Sequence, residues 1–272
     1  MAQKIFNSFL IIIFITLVAL FAYKQSNTPP QARASLQDSP AIATNSGTNS
    51  NSLSKQEIEK IVEEYILNNP GKIIQSLEGM QKKKLQESAK ITSDYLSKNR
   101  DKIENIDYPP FFGNKNGDVK IVVFYDYNCS YCRKGNQYTN DIVKSDPNVK
   151  VILRPIPILG GTSMYAAKVA LAVQKISQEK FPAIHNELMT MKSIDERSVK
   201  ALMSKHKIDY SIVENEVNSH SLKQLITKNF ELAKGLGISG APSYIINGNF
   251  VPGLIPVERF KAMILQARAD AK

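Results

Sequence analysis

The chain carries only two cysteines in 272 residues, Cys129 and Cys132, three apart in Phe124-Tyr-Asp-Tyr-Asn-Cys-Ser-Tyr-Cys132 and directly after an apolar, β-branched run. A C-x-x-C between a strand and a helix is a redox site. Half of a zinc site is the first competing assignment, and it fails on ligand count. A closed structural zinc site takes four nitrogen or sulfur ligands, yet the only histidines are His185, His206 and His220, and none has ligand spacing to another. No metal set and no cofactor are assigned. A pair of inert buried thiols is the second alternative.

The elements around the pair fix its setting. Lys120–Tyr125 reads as a strand, Arg133 to about Lys144 as a helix and Val149–Arg154 as a second strand. This strand-helix-strand order predicts a parallel pairing in an α/β fold. Residues 109–117, with Pro109-Pro110 and Gly113-Asn-Lys-Asn-Gly117, read as a turn-rich domain boundary. From about 163 to 236 the pattern is helical, with helices read over 166–173, 181–191, 199–206 and 222–236, which predicts an inserted helical domain. Strand signals return at Tyr244-Ile-Ile and Phe250-Val, separated by the hairpin dipeptide Asn247-Gly248. Val257–Ala269 closes the chain as a helix.

The N-terminal third is organised differently. After a basic start, Ile5–Tyr23 is nineteen uncharged, mostly apolar residues. Residues 1–22 are expected to act as a signal peptide with Ala22 last before cleavage, or to remain as an uncleaved anchor. Either way the rest is exported, to a compartment where disulfides form and persist. Residues 23–54, rich in Ser, Asn, Thr, Pro and Gln, read as a flexible linker. Residues 55–106 read as a helical extension: Ile58, Ile61, Val62, Tyr65 and Ile66 recur at helical spacing. Asn69-Pro70 breaks the pattern and starts the next helix, where Ile73, Ile74, Leu77 and Met80 resume the stripe. Such a narrow stripe either folds back on its own domain or pairs with copies of itself as a homo-oligomer. The formal charge of +10 is spread along the chain, and its densest cluster, Lys82-Lys83-Lys84, fits a solvated helix face, so no nucleic-acid partner is assigned.

At the start of a helix, unpaired backbone N–H groups and the helix dipole favour an anion. This makes Cys129 the nucleophile. Cys132, one turn on and shielded beneath it, becomes the resolving thiol.

The cysteine segment, Pro157-Ile-Leu-Gly160 and Gly237-Ile-Ser-Gly-Ala-Pro-Ser-Tyr244 together resemble the DsbA-like thiol-disulfide oxidoreductases over residues 107–272. The segment Tyr65-Ile-Leu-Asn-Asn-Pro70 is similar to the N-terminal region of the suppressor-of-copper-sensitivity branch, in which that region can drive oligomerisation. The resemblance implies a thioredoxin fold with an inserted helical domain, preceded by the helical extension. It also implies a cis-proline loop at Ala241-Pro242 that faces Cys129 and binds the substrate strand. The implied activity is to form, reduce or isomerise disulfides of cysteine-containing exported proteins in the periplasm. A membrane redox partner would recycle the pair. Two departures bear on direction. Val123 stands where relatives often carry a buried glutamate. Asp126, an odd number of positions away on a strand, is expected to face the other side as a turn-forming residue. Ser130 and Tyr131, the tuning positions between the cysteines, replace the Pro-His of strongly oxidising relatives. Redox potentials of such pairs span roughly −270 to −120 mV, and loss of the imidazolium points to the reducing or isomerising side. His185 is expected to be a packing or surface histidine. A different class, a secreted copper(I)-binding protein using the same two sulfurs, remains as the alternative function.

Overall fold

The computed structural model describes residues 53–105 and 109–271. The expected signal segment, 1–22, and all but the last two residues of the expected linker lie outside the described residues. The chain divides into two compact units at Val62, inside helix α1 (Lys55–Asn68). In the first unit Ser54 and Glu57 form a reciprocal cap. The Glu57 carboxylate accepts from Ser54 N at 2.8 Å and Ser54 Oγ accepts from Glu57 N at 3.3 Å, which satisfies backbone donors that a helix start leaves unpaired.

In the second unit α1 ends at the Asn69-Pro70 break and α2 (Pro70–Glu104) begins with Pro70 in its first turn, where the missing N–H is harmless. The elements that follow are β1 (Phe111–Gly113), β2 (Val119–Tyr125), α3 (Ser130–Ser145) and β3 (Val149–Pro155). Five helices come next: α4 (Gly161–Ile176), α5 (Phe181–Thr190), α6 (Glu196–Lys205), α7 (Tyr210–Val217) and α8 (His220–Gly235). The chain closes with β4 (Ser243–Ile246), β5 (Asn249–Pro252) and α9 (Val257–Asp270).

The five strands form one sheet in the order β1-β3-β2-β4-β5. The β2–β3 pair is parallel, as the strand-helix-strand reading predicts, with Val123 opposite Leu153. The other pairs are antiparallel, and Val123 lies opposite Tyr244 across β2 and β4. Asn247 and Gly248 both take positive φ, +45° and +86°, the conformation a tight two-residue hairpin requires.

Side chains alternate across a strand, and the sheet separates two cores accordingly. Ile121, Val123, Tyr125, Leu153, Tyr244 and Ile246 face α3, α9 and the inserted helices. Val122, Phe124, Ile152 and Ile245 face Leu96 and Ile103 of α2 and Leu232, Ala233 and Leu236 at the end of α8. The result is a thioredoxin-type sheet with a helical insertion between β3 and β4. Two elements depart from the sequence reading. Residues 111–113, read as part of a turn-rich boundary, form an edge strand. An additional helix, α7, lies inside the insertion and is capped by Asp209, whose carboxylate accepts from Ser211 N.

The extension behaves in two ways along its length. Ile73, Ile74, Leu77, Met80, Leu85 and Ile91 are exposed. Beyond them α2 is part of the domain: Thr92 Oγ1 donates to Leu236 O at 3.2 Å and Leu96 and Ile103 are buried. The buried Arg154 guanidinium donates to Lys102 O at 2.7 Å and Ile103 O at 2.9 Å. Residues 92–104 therefore complete the sheet's second face, although they precede the boundary drawn at residue 106.

Candidate active site

The β2 strand ends at Tyr125, and the chain turns over Asp126–Cys129 into α3. Asp126, 1% exposed, makes that turn: one carboxylate oxygen accepts from Asn128 N at 2.8 Å and the other from Leu159 N at 3.0 Å. It thus joins the cysteine turn to the Pro157–Gly160 loop, from a position just past β2 and not from the strand on which the sequence reading set it facing the other side, and its charge adds to the burial that raises the Cys132 thiol. Cys129 N donates to Asp126 O at 3.2 Å, closing the turn. Arg133 then fastens it from outside, donating to Tyr127 O at 2.8 Å and to Met191 O beyond α5 at 2.6 Å.

Cys129 is the N-cap of α3, and its sulfur accepts from Cys132 N at 3.4 Å. A sulfur thus stands where a cap oxygen usually does. The same Cys129 thiol donates to Ala241 O at 3.4 Å. The Ala241–Pro242 bond is cis, and this loop ends at β4, next to β2 in the sheet. Sheet pairing thereby brings residues 112 positions apart into contact.

The two thiols, both free, differ in environment. Cys129 is partly exposed, whereas Cys132 is 3% exposed within the main core. Cys132 Sγ accepts from Asp126 N at 3.5 Å. Burial pushes the Cys132 thiol well above the usual range despite that bond, since a buried anion loses its hydration. Ser130 and Tyr131 are both exposed beside them, Tyr131 at 65%. Val123 is buried and places no carboxylate beneath the pair.

A match to the model of the DSBA-like thioredoxin domain spans residues 120–265. The chain belongs to the DSBA-like thioredoxin domain family. Among curated relatives, the thiol:disulfide interchange protein DsbA of Bordetella parapertussis is 22% identical over 149 residues, 53% of this chain and 70% of that protein. A thioredoxin-like oxidoreductase from Silicibacter pomeroyi shares 34% identity at a TM-score of 0.59, covering 63% of this chain and 98% of its own. Proteus mirabilis ScsC in a transitional conformation shares 27% identity at a TM-score of 0.59, over 79% of this chain and 97% of its own. As a DSBA-family member the chain is a thiol-disulfide oxidoreductase of the thioredoxin fold.

The structure brings Cys129, Cys132, Ala241 and Pro242 together, with Ser130 and Tyr131 at the rim. Sequence reasoning missed two groups close to them. Arg133 follows the motif directly, but one of its two backbone contacts, Met191 O, lies 58 positions away. Tyr244 reads as a plain strand residue, and only the Val123–Tyr244 pairing places it over the active-site helix. His185, the remaining histidine of interest, is fully buried. It packs against Phe181 and Phe112, and its ring nitrogens bond Tyr127 Oη at 2.8 Å and Asn136 Oδ1 at 3.0 Å. Among the described residues no group of three or more His, Cys, Asp or Glu could hold a metal ion.

Proposed function

We propose that this protein exchanges disulfides with cysteine-containing exported proteins in the periplasm, with Cys129 as the nucleophile and Cys132 as the resolving thiol. The observation that carries the reading is the asymmetry of the pair. Cys129 is open, caps a helix and touches the cis-proline loop, whereas Cys132 is buried. In the oxidising direction a substrate thiolate attacks Cys129 Sγ of the Cys129–Cys132 disulfide, and Cys132 leaves with the electron pair. The substrate's second thiolate then attacks its own sulfur in the mixed disulfide and releases Cys129 as thiolate. The substrate loses two electrons, the protein gains them, and a membrane redox partner takes them on. Ala241 and Pro242 lie where a substrate strand would approach Cys129. Ser130 and Tyr131 offer no imidazolium, which favours the reducing or isomerising side. Export is supported by the apolar N-terminal segment and by the compartment a disulfide pair requires. The exposed stripe Ile73, Ile74, Leu77 and Met80 supports a homo-oligomer built through the extension.

The test is a thiol-exchange assay on a peptide disulfide. Wild-type protein is expected to exchange, Cys129→Ser to lose exchange by at least about a hundredfold, and Cys132→Ser to retain the peptide on Cys129 as a stable mixed disulfide. Copper(I) held by the reduced pair without any exchange would replace the enzyme reading with the binding-protein one.

A further inference from the structure

Tyr244 is fully buried, yet its hydroxyl has no hydrogen-bond partner among the described residues. A buried polar group normally finds one, so an orphan demands a physical reason. The ring is not loosely placed. It meets Phe260 edge-on, ring centroids 5.0 Å apart, and directly opposite strand neighbours share a face, so the register with Val123 aims it to the side of the sheet that holds α3. The hydroxyl lies so close to Gly135 that a methyl group there would collide with it. Gly135 is one turn beyond Cys132 on the same face of α3, since residues three apart are neighbours on a helix. Val123, its cross-strand neighbour, brings no polar atom. The Tyr244 phenol is also held well above its usual range, by burial first and then by the negative charge that Cys132 and Cys129 would carry. It therefore keeps its proton and acts as a donor.

The geometry points to Tyr244 as the positioning donor for Cys132: no hydrogen bond joins the two in the thiol state, and the uncommitted O–H is drawn to the Cys132 sulfur when that sulfur carries negative charge. This deepens the exchange reading above and rests on it. During resolution, the Cys132 thiol first loses its proton to water. Cys132 Sγ then attacks Cys129 Sγ, the Cys129–substrate S–S bond breaks, and the substrate sulfur leaves with the electron pair. Tyr244 contributes a hydrogen bond throughout and no proton. The reverse step, in which Cys132 is the leaving group, is assisted by the same donor. A hydrogen bond to a charged partner is among the stronger ones in a protein, so the donor is expected to change the Cys132 step by roughly tenfold.

Tyr244→Phe removes the oxygen and keeps the ring. The full-length wild type and the variant are each loaded at Cys129 with a peptide as mixed disulfide, and the rate of peptide release by Cys132 is followed. Release is expected to slow about tenfold in the variant. The alkylation rate of Cys129 in the reduced protein should stay within twofold of wild type. In a Cys129→Ser background, the pH midpoint of Cys132 alkylation should rise by about one unit on Tyr244→Phe. A merely structural phenol would move neither the midpoint nor the release rate. Site-specific replacement of Tyr244 by a fluorotyrosine, a stronger donor of similar shape, should speed release, and it keeps the test open if the phenylalanine variant folds poorly. Unchanged release and midpoint would overturn the assignment, as would an equal loss of Cys129 and Cys132 reactivity. Absence of exchange in wild type would remove the underlying function, which separates the two failures.

Discussion

At the scale of single residues, burial rather than charge pairing sets the chemistry. Among the described residues His185 has two hydrogen-bond partners and no counter-ion in contact, and burial holds it neutral down to about 3. An unfolded histidine takes up its proton near 6.5. Between those values the unfolded state binds the extra proton, so stability falls as the pH drops through that window and is unaffected above it. His185→Gln retains donor and acceptor but does not titrate. Its stability deficit relative to wild type, measured by urea unfolding, is expected to shrink by on the order of 3 kcal/mol between pH 7 and pH 4. Parallel pH profiles would show that His185 is protonated in the folded state. The redox pair was legible in the sequence at this scale because its information is local: two cysteines, their spacing and the flanking periodicities. The groups around it were not. Tyr244 is set against Val123 and Gly135 and His185 bonds Tyr127 and Asn136, each 49 or more positions away, and nothing in their own neighbourhoods marks them.

At the scale of elements, the long strands and helices announced themselves by period. β2, β3 and α3 have enough residues for periodicity to register, and Asn247-Gly248 carries its own turn chemistry. β1 has three residues, too few to show alternation, and exists because Phe111–Gly113 finds the open edge of β3. α7 left a fainter trace, an Asp209 cap followed by Val213 and Val217 four apart. The extension was the least legible element. Its stripe could serve a fold-back or a self-pairing, and the structure divides it between an exposed stretch and a packed end. That packed end meets α8 without a gap, since a methyl group at Gly235 would strike the Tyr95 ring. Gly235→Ala is accordingly expected to destabilise the protein by about 1–3 kcal/mol despite the better helix propensity of alanine, read as a lowered urea midpoint. A stabilised variant would mean that Tyr95 can rotate away freely.

At the scale of the whole molecule, Leu85 shares a pocket with Ala241 and Pro242, whereas Leu77 and Met80 do not line it, so the outer part of the exposed stretch is separable from the redox site by mutation. Leu77→Glu combined with Met80→Glu is expected to lower the mass measured by analytical ultracentrifugation to that of a single chain while leaving exchange on a short peptide within about twofold. An unchanged mass would assign the stripe to something other than self-association. The thiol inventory has a further consequence for survival among oxidants. With only two cysteines in the chain, the partly exposed Cys129 is the one that peroxide reaches first. The sulfenic acid formed there meets the shielded Cys132 thiol, and their condensation releases water and yields the disulfide. Oxidative injury is thereby converted into the oxidised state of the exchange cycle. Peroxide treatment of wild type should yield the disulfide by mass spectrometry, whereas Cys132→Ser, with nothing to intercept the sulfenic acid, should proceed to the irreversible sulfinic and sulfonic forms.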